Sequence, residues 1–147
     1  MDRGTAVLLT AAAGGLIALQ APINGRLAVS VGNVQATFVS FVVGTVALAG
    51  VVSLAKGGFA QIAEARDVGW IYLTGGVLGA AYVTAALVAV RTLGAGGVTA
   101  ATFGGQLALS LVVDQLGILG VARQPITAVR LAGVALMAAG IYLIVRD

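Results

Sequence analysis

Gly14-Gly15-Leu16-Ile17-Ala18-Leu19-Gln20-Ala21-Pro22-Ile23-Asn24-Gly25-Arg26 sets two amides and a proline inside an apolar run from Thr5 to Val29. Hydrocarbon offers no hydrogen-bond partner to an amide, and a proline leaves the carbonyl one turn earlier without its donor. Residues of this kind therefore face other helices or a wet cavity. Read as one helix, the stretch places Gln20 and Asn24 one turn apart on a single face. Gly14 and Gly15, more than a turn away, would let a neighbouring helix approach closely. This face is where a solute is expected to meet the protein, along a transport pathway.

The rest of the chain has the composition that such a reading needs. Of 147 residues, 60% are hydrophobic and 9% charged, with a mean hydropathy of +1.09, which describes an integral membrane protein. Cysteine and histidine are both absent, so disulfides, thiolate metal sites and imidazole acid–base chemistry are excluded from the chain itself. No cofactor or metal is implied. The net charge of +3 comes from basic residues scattered singly, which does not describe a nucleic-acid surface. A signal peptide ending at Ala21 would put Leu19 where a small residue is needed and Pro22 just past the cut, so the first run is expected to be retained.

Five apolar segments follow, at 5–29, 35–55, 68–90, 98–118 and 127–145. Each is near the ~20 residues that cross about 30 Å of hydrocarbon. They are continuous and about twice the length of a barrel strand, so the expected fold is all-α, a single domain of five transmembrane helices over 1–147. Ser30 to Asn33 is expected as a tight connector and Lys56-Gly57-Gly58 as the start of a longer amphipathic loop. Arg91 to Gly97 reads as a glycine-rich turn, and Gly120 to Pro125 separates the last pair.

Gly75 and Gly79 form a small-residue motif on the third segment; Ala128, Ala132, Ala135 and Ala139 line one face of the fifth, with Gly133 and Gly140 beside it. Both patterns suit close helix packing, and the second also suits a dimer seam. Trp70, Tyr72 and Tyr142 lie near segment ends as interface anchors, whereas Tyr82 lies mid-segment and needs a partner for its hydroxyl or a cavity. With five spans, Arg3, Lys56, Arg66, Arg123 and Arg130 fall on the side of the N-terminus and Arg26, Arg91 and Arg146 on the other. The excess places the N-terminus in the cytoplasm, and its small size is also that of a chain inserting in both orientations.

A second polar stripe runs along the fourth segment, where Thr102, Gln106, Ser110 and Asp114 recur every four residues. Asp114 is the one carboxylate inside an apolar segment, and a charge at mid-bilayer costs about 2.5 to 3.5 kcal/mol on insertion scales. It must be paired, wet, protonated or near the surface: a candidate for proton or cation coupling, or else a group near the segment end that reaches headgroup water or caps a neighbour. Gln20, Asn24, Tyr82 and Gln106 are the candidate solute-binding residues, with interhelical bonding as the alternative for the first two. Pro22 is the candidate hinge, and Arg26 is expected to reach for a headgroup. Gly94-Ala95-Gly96-Gly97-Val98-Thr99 only begins like a dinucleotide-binding loop, and no nucleophile has a histidine partner, so no enzyme is expected.

Four motifs together resemble the drug/metabolite transporter superfamily, in its small five-helix YdcZ-type branch of bacterial inner-membrane proteins. They are Gly15 to Asn24, Val39-Ser40-Phe41-Val42-Val43-Gly44-Thr45, Gly75-Gly76-Val77-Leu78-Gly79-Ala80, and Gly105-Gln106 with Asp114-Gln115-Leu116-Gly117. The resemblance covers essentially the whole chain. Where that branch often has histidine after the aspartate, this chain has Gln115. The resemblance implies a half-size, multi-pass transporter of the inner membrane that pairs as an antiparallel homodimer or with a similar chain. It further implies that helices one, three and four line the cavity. The expected function is secondary transport or export of a small metabolite or drug by alternating access in a dimer, with proton coupling as a candidate. A membrane scaffold or accessory subunit and a passive channel are the alternatives.

Overall fold

The computed structural model describes residues 2–146, and all of the regular structure among them is helical. Apolar runs of this length satisfy their backbone groups within the segment, which is what lipid requires. α1 (Arg3–Val31) starts at Asp2, whose carboxylate accepts the Thr5 N–H at 2.9 Å and the Thr5 hydroxyl at 2.6 Å. It runs unbroken through Pro22 and ends at Gly32, the single residue joining it to α2 (Asn33–Leu54). The amphipathic loop is a tight 3-10 stretch, Gly58–Asp67, followed by a second at Trp70–Leu73. α3 is Gly75–Leu116 and α4 is Ala128–Val145.

Two expectations about boundaries are revised. The third apolar segment, expected from residue 68, opens in 3-10 geometry and becomes α-helical only at Gly75. The glycine-rich turn expected at 91–97 is helical except at Gly94, where φ 66° and ψ 173° interrupt α3. That backbone conformation is essentially confined to glycine, so one residue breaks a helix that its neighbours continue. The described residues thus hold four to five apolar helices, according to whether α3 is counted whole or as arms 75–93 and 95–116. Among the described residues four helical stretches are long and apolar enough to cross a membrane: α1, α2, Trp70–Leu116 and α4.

The chain forms two compact units, one up to Arg91 and one from Thr92. In the first, Ala28, Ala36, Val83 and Leu87 are buried, with Leu27, Phe41 and Tyr82 packed around them. The alanines let backbones approach, and Phe41 lies 3.3 Å from where a Cβ on Gly79 would sit. Apart from the local backbone of α1, no atom comes within 4 Å of such a position at Gly14 or Gly15, so the expected close neighbour there is not supplied by the described residues. In the second unit Ile141 of α4 packs over Gly104, where an added Cβ would meet its Cδ1 at 2.9 Å. Leu54 and Val129 are 91% and 82% exposed, and many further Leu, Val and Ile side chains face outward. Water would oppose such a surface and lipid does not, which marks a multi-pass membrane protein.

Candidate functional site

Gln20 and Asn24 of α1 and Tyr82 of α3 line one crevice in the first unit, with Ile17, Ala21, Val83, Ala86 and Leu87 as its apolar walls. α1 brings its two amides there because they share a face, and Tyr82 arrives on the opposing arm 75–93. Asn24 is 6% exposed, and its Nδ2 donates to Ser40 Oγ of α2 at 3.0 Å. A buried amide without a partner would be costly, so this bond is part of what allows α1 and α2 to close. The remaining space is about 10 Å³, room for about one water and not for a solute. A passage along this face requires a different packing of the helices or a second chain.

Further polar groups extend from Ser40 along α2. Thr37 is buried and its hydroxyl donates to the Asn33 carbonyl at 3.0 Å. The Thr84 hydroxyl has two acceptors, Ala80 O at 2.8 Å and Thr37 Oγ1 at 3.1 Å, of which its single proton serves one at a time. Asn33 Oδ1 is buried without a partner and remains an open acceptor. Thr37 and Thr84 escaped the sequence reading because threonine in a transmembrane helix commonly bonds back to the carbonyl four residues earlier, and only the crossing of two helices joins this pair.

Gln106 and Asp114 come together in the second unit, on a groove of about 340 Å³ lined also by Leu109, Ser110, Val113 and Val121. The four-residue spacing accounts for three polar side chains on one wall. Asp114 Oδ2 is 3.2 Å from Arg130 Nη1, and Arg130 Nη2 donates to Gln124 Oε1. Of the fates open to a carboxylate in an apolar segment, the structure takes pairing, near the segment end. Sequence spacing gave no sign of Arg130, because sixteen residues and a chain reversal separate it from Asp114. Gln115 ties the connector. Its Oε1 accepts the Ile126 N–H at 2.8 Å and its carbonyl accepts Arg123 Nε at 3.0 Å.

Pro22 is exposed on α1. It sits on the same helix as Gln20 and Asn24, and it withholds a hydrogen bond from the Ala18 carbonyl. The Gln106 groove presents an amide, a hydroxyl and a carboxylate paired with Arg130, whereas the Gln20 and Asn24 crevice as packed has no room for a solute.

The family described as "Putative inner membrane exporter, YdcZ" matches the chain over residues 5–143. No curated protein and no solved structure matches it.

Proposed function

The chain belongs to the YdcZ family of inner-membrane exporters, and from that premise we propose that it is a secondary exporter of a small metabolite or drug, working by alternating access in a dimer. The observation that carries this reading is the groove beside Gln106, Ser110 and Asp114. Its volume of about 340 Å³ falls in the range of small-molecule sites, roughly 300 to 1,000 Å³, and its polar wall stands on an otherwise apolar helix. The Gln20, Asn24 and Tyr82 crevice is the second solute-facing group in this reading, closed in the conformation described. An export cycle would open it, with Pro22 as the hinge of α1.

Five spans belong to the same proposal. The break at Gly94 divides α3 into arms 75–93 and 95–116, each roughly 30 Å long at 1.5 Å per residue and so about the hydrocarbon thickness. Five spans put the termini on opposite faces, and a half-size chain then completes its pathway with an antiparallel copy or a similar chain. The small-residue face of α4 supports such pairing: nothing lies within 4 Å of a Cβ position at Gly133 or Gly140. The same open face favours the second reading, an accessory subunit of a heteromeric transporter.

Reconstitution of the purified chain separates the readings. Counterflow exchange of solute is the outcome expected of a carrier. Flux that only dissipates a gradient identifies a channel, and absence of flux with stable capture of a different membrane chain identifies a subunit. Asp114→Asn is expected to abolish the pH dependence of uptake; unchanged pH dependence removes Asp114 from proton coupling.

A further inference from the structure

Arg130 joins three pieces of the second unit. Its Nη1 donates to Asp114 at the end of α3, its Nη2 to Gln124 in the connector 117–127, and its backbone N–H to Thr127 Oγ1 at 3.3 Å, the N-cap of α4. Asp114 answers through its backbone, accepting the Gln124 N–H at 2.8 Å. The helix end, the connector and the next helix start are thereby held by one ion pair and the bonds around it.

The order of the two charges carries information. Asp114 lies two residues before the C-terminal end of α3, where unpaired carbonyls make the helix end negative, and Arg130 is the third residue of α4, where free N–H groups make it positive. Each charge is disfavoured by its own helix and favoured by the other residue. The reverse order, arginine on α3 and aspartate on α4, would brace the same connector with both helix ends in agreement. What the observed order supplies, and the reverse cannot, is a carboxylate at the foot of the Gln106 and Ser110 wall. Val121 of the connector lines the same groove. The side chains of Arg130 and Asp114 are 34% and 26% exposed, so the pair is not sealed inside the protein and can break without unpacking a core.

We infer that Arg130 is the positioning residue of the Asp114 site: it fixes the carboxylate toward the groove and holds the Val121 wall in place, and it lets both go when the pair breaks. This rests on Asp114 serving the transport cycle, so its test has one arm that needs no transport. The chain has no cysteine, so Val112→Cys and Ala122→Cys, both outside the groove lining, take a pair of nitroxide labels in lipid vesicles.

A narrow distance distribution is expected in the otherwise native chain and a broad one in Arg130→Gln. The reversed pair, Asp114→Arg with Arg130→Asp, restores the ion pair but not the bond to Gln124, and is expected to narrow the distribution again in part. Counterflow is expected to fall at least about tenfold in both, because the reversed pair restores the ion pair without returning a carboxylate to α3. Arg130→Lys is expected to lie between, since an ammonium lacks the planar fork that serves Asp114 and Gln124 together. A distribution that stays narrow in Arg130→Gln overturns the inference, as does full counterflow in the reversed pair, which would leave a brace and nothing more. If the native chain shows no counterflow of any solute, the transport reading fails, and the distance arm still decides whether Arg130 positions the connector.

Discussion

Asn24 shows how one side chain can serve packing and function at once, and the two roles predict different magnitudes. Its bond to Ser40 is an interhelical hydrogen bond of the kind worth about 0.6 kcal/mol on average in membrane proteins. Asn24→Ala is expected to lower unfolding stability in detergent by about that amount while reducing counterflow far more. Activity that falls only as far as the folded fraction would make Asn24 interhelical glue. Asp2 behaves differently because it lies outside the apolar run. The Thr5 hydroxyl, followed by the Thr5 N–H, holds its carboxyl below the usual carboxylate range. A depressed folded value means that the cap helps the folded state at pH above the ordinary aspartate value of about 3.9 and loses that help as pH falls through the folded value. Protection of the Thr5 amide, measured as its exchange rate relative to the intrinsic rate at each pH, is therefore expected to fall on acidification into that range, and to be independent of pH there in Asp2→Asn.

Two breaks in helical order, at Pro22 and Gly94, act in opposite ways. Pro22 removes one hydrogen bond and leaves α1 continuous, whereas Gly94 leaves the composition helical and interrupts α3 by its backbone angles. Pro22→Ala restores a donor to the Ala18 carbonyl, so it is expected to raise stability and slow counterflow if α1 bends there during the cycle. Unchanged exchange rates would remove Pro22 as the hinge. Gly94→Ala is expected to destabilise by about 1 to 3 kcal/mol, because a Cβ disfavours φ 66° with ψ 173° whatever space surrounds it. Equilibrium unfolding of the two variants side by side checks both signs. Gly117 ends α3 for a further reason. Its φ is +63°, its N–H caps the Val113 carbonyl at 2.9 Å, and a Cβ there would meet Arg123 Cβ at 2.9 Å.

For the whole molecule the open question is orientation, and the chain is well suited to answering it. Five basic residues against three is a weak bias, and an antiparallel dimer of identical chains needs both orientations in one membrane. Gly4→Cys, the only thiol in such a variant, is expected to react with an impermeant reagent from each side of the membrane. Labelling from one side alone would leave pairing with a different chain as the route to an antiparallel assembly.

The all-helical class, the placement of the apolar runs and the two polar stripes were legible in the residues, because helix periodicity and the exclusion of bare polar groups from lipid are local rules. Gln20 with Asn24, and Gln106 with Asp114, share faces for that reason alone. Tertiary structure decided what those faces meet. It gave Asn24 to Ser40 and Asp114 to Arg130, it joined Thr37 to Thr84, and it left the first crevice with room for about one water. It also reduced an expected glycine-rich turn to Gly94, since several glycines permit a break and only the packed chain selects which one adopts it. Partners across two helices are set by packing at distances that no periodicity along the chain encodes.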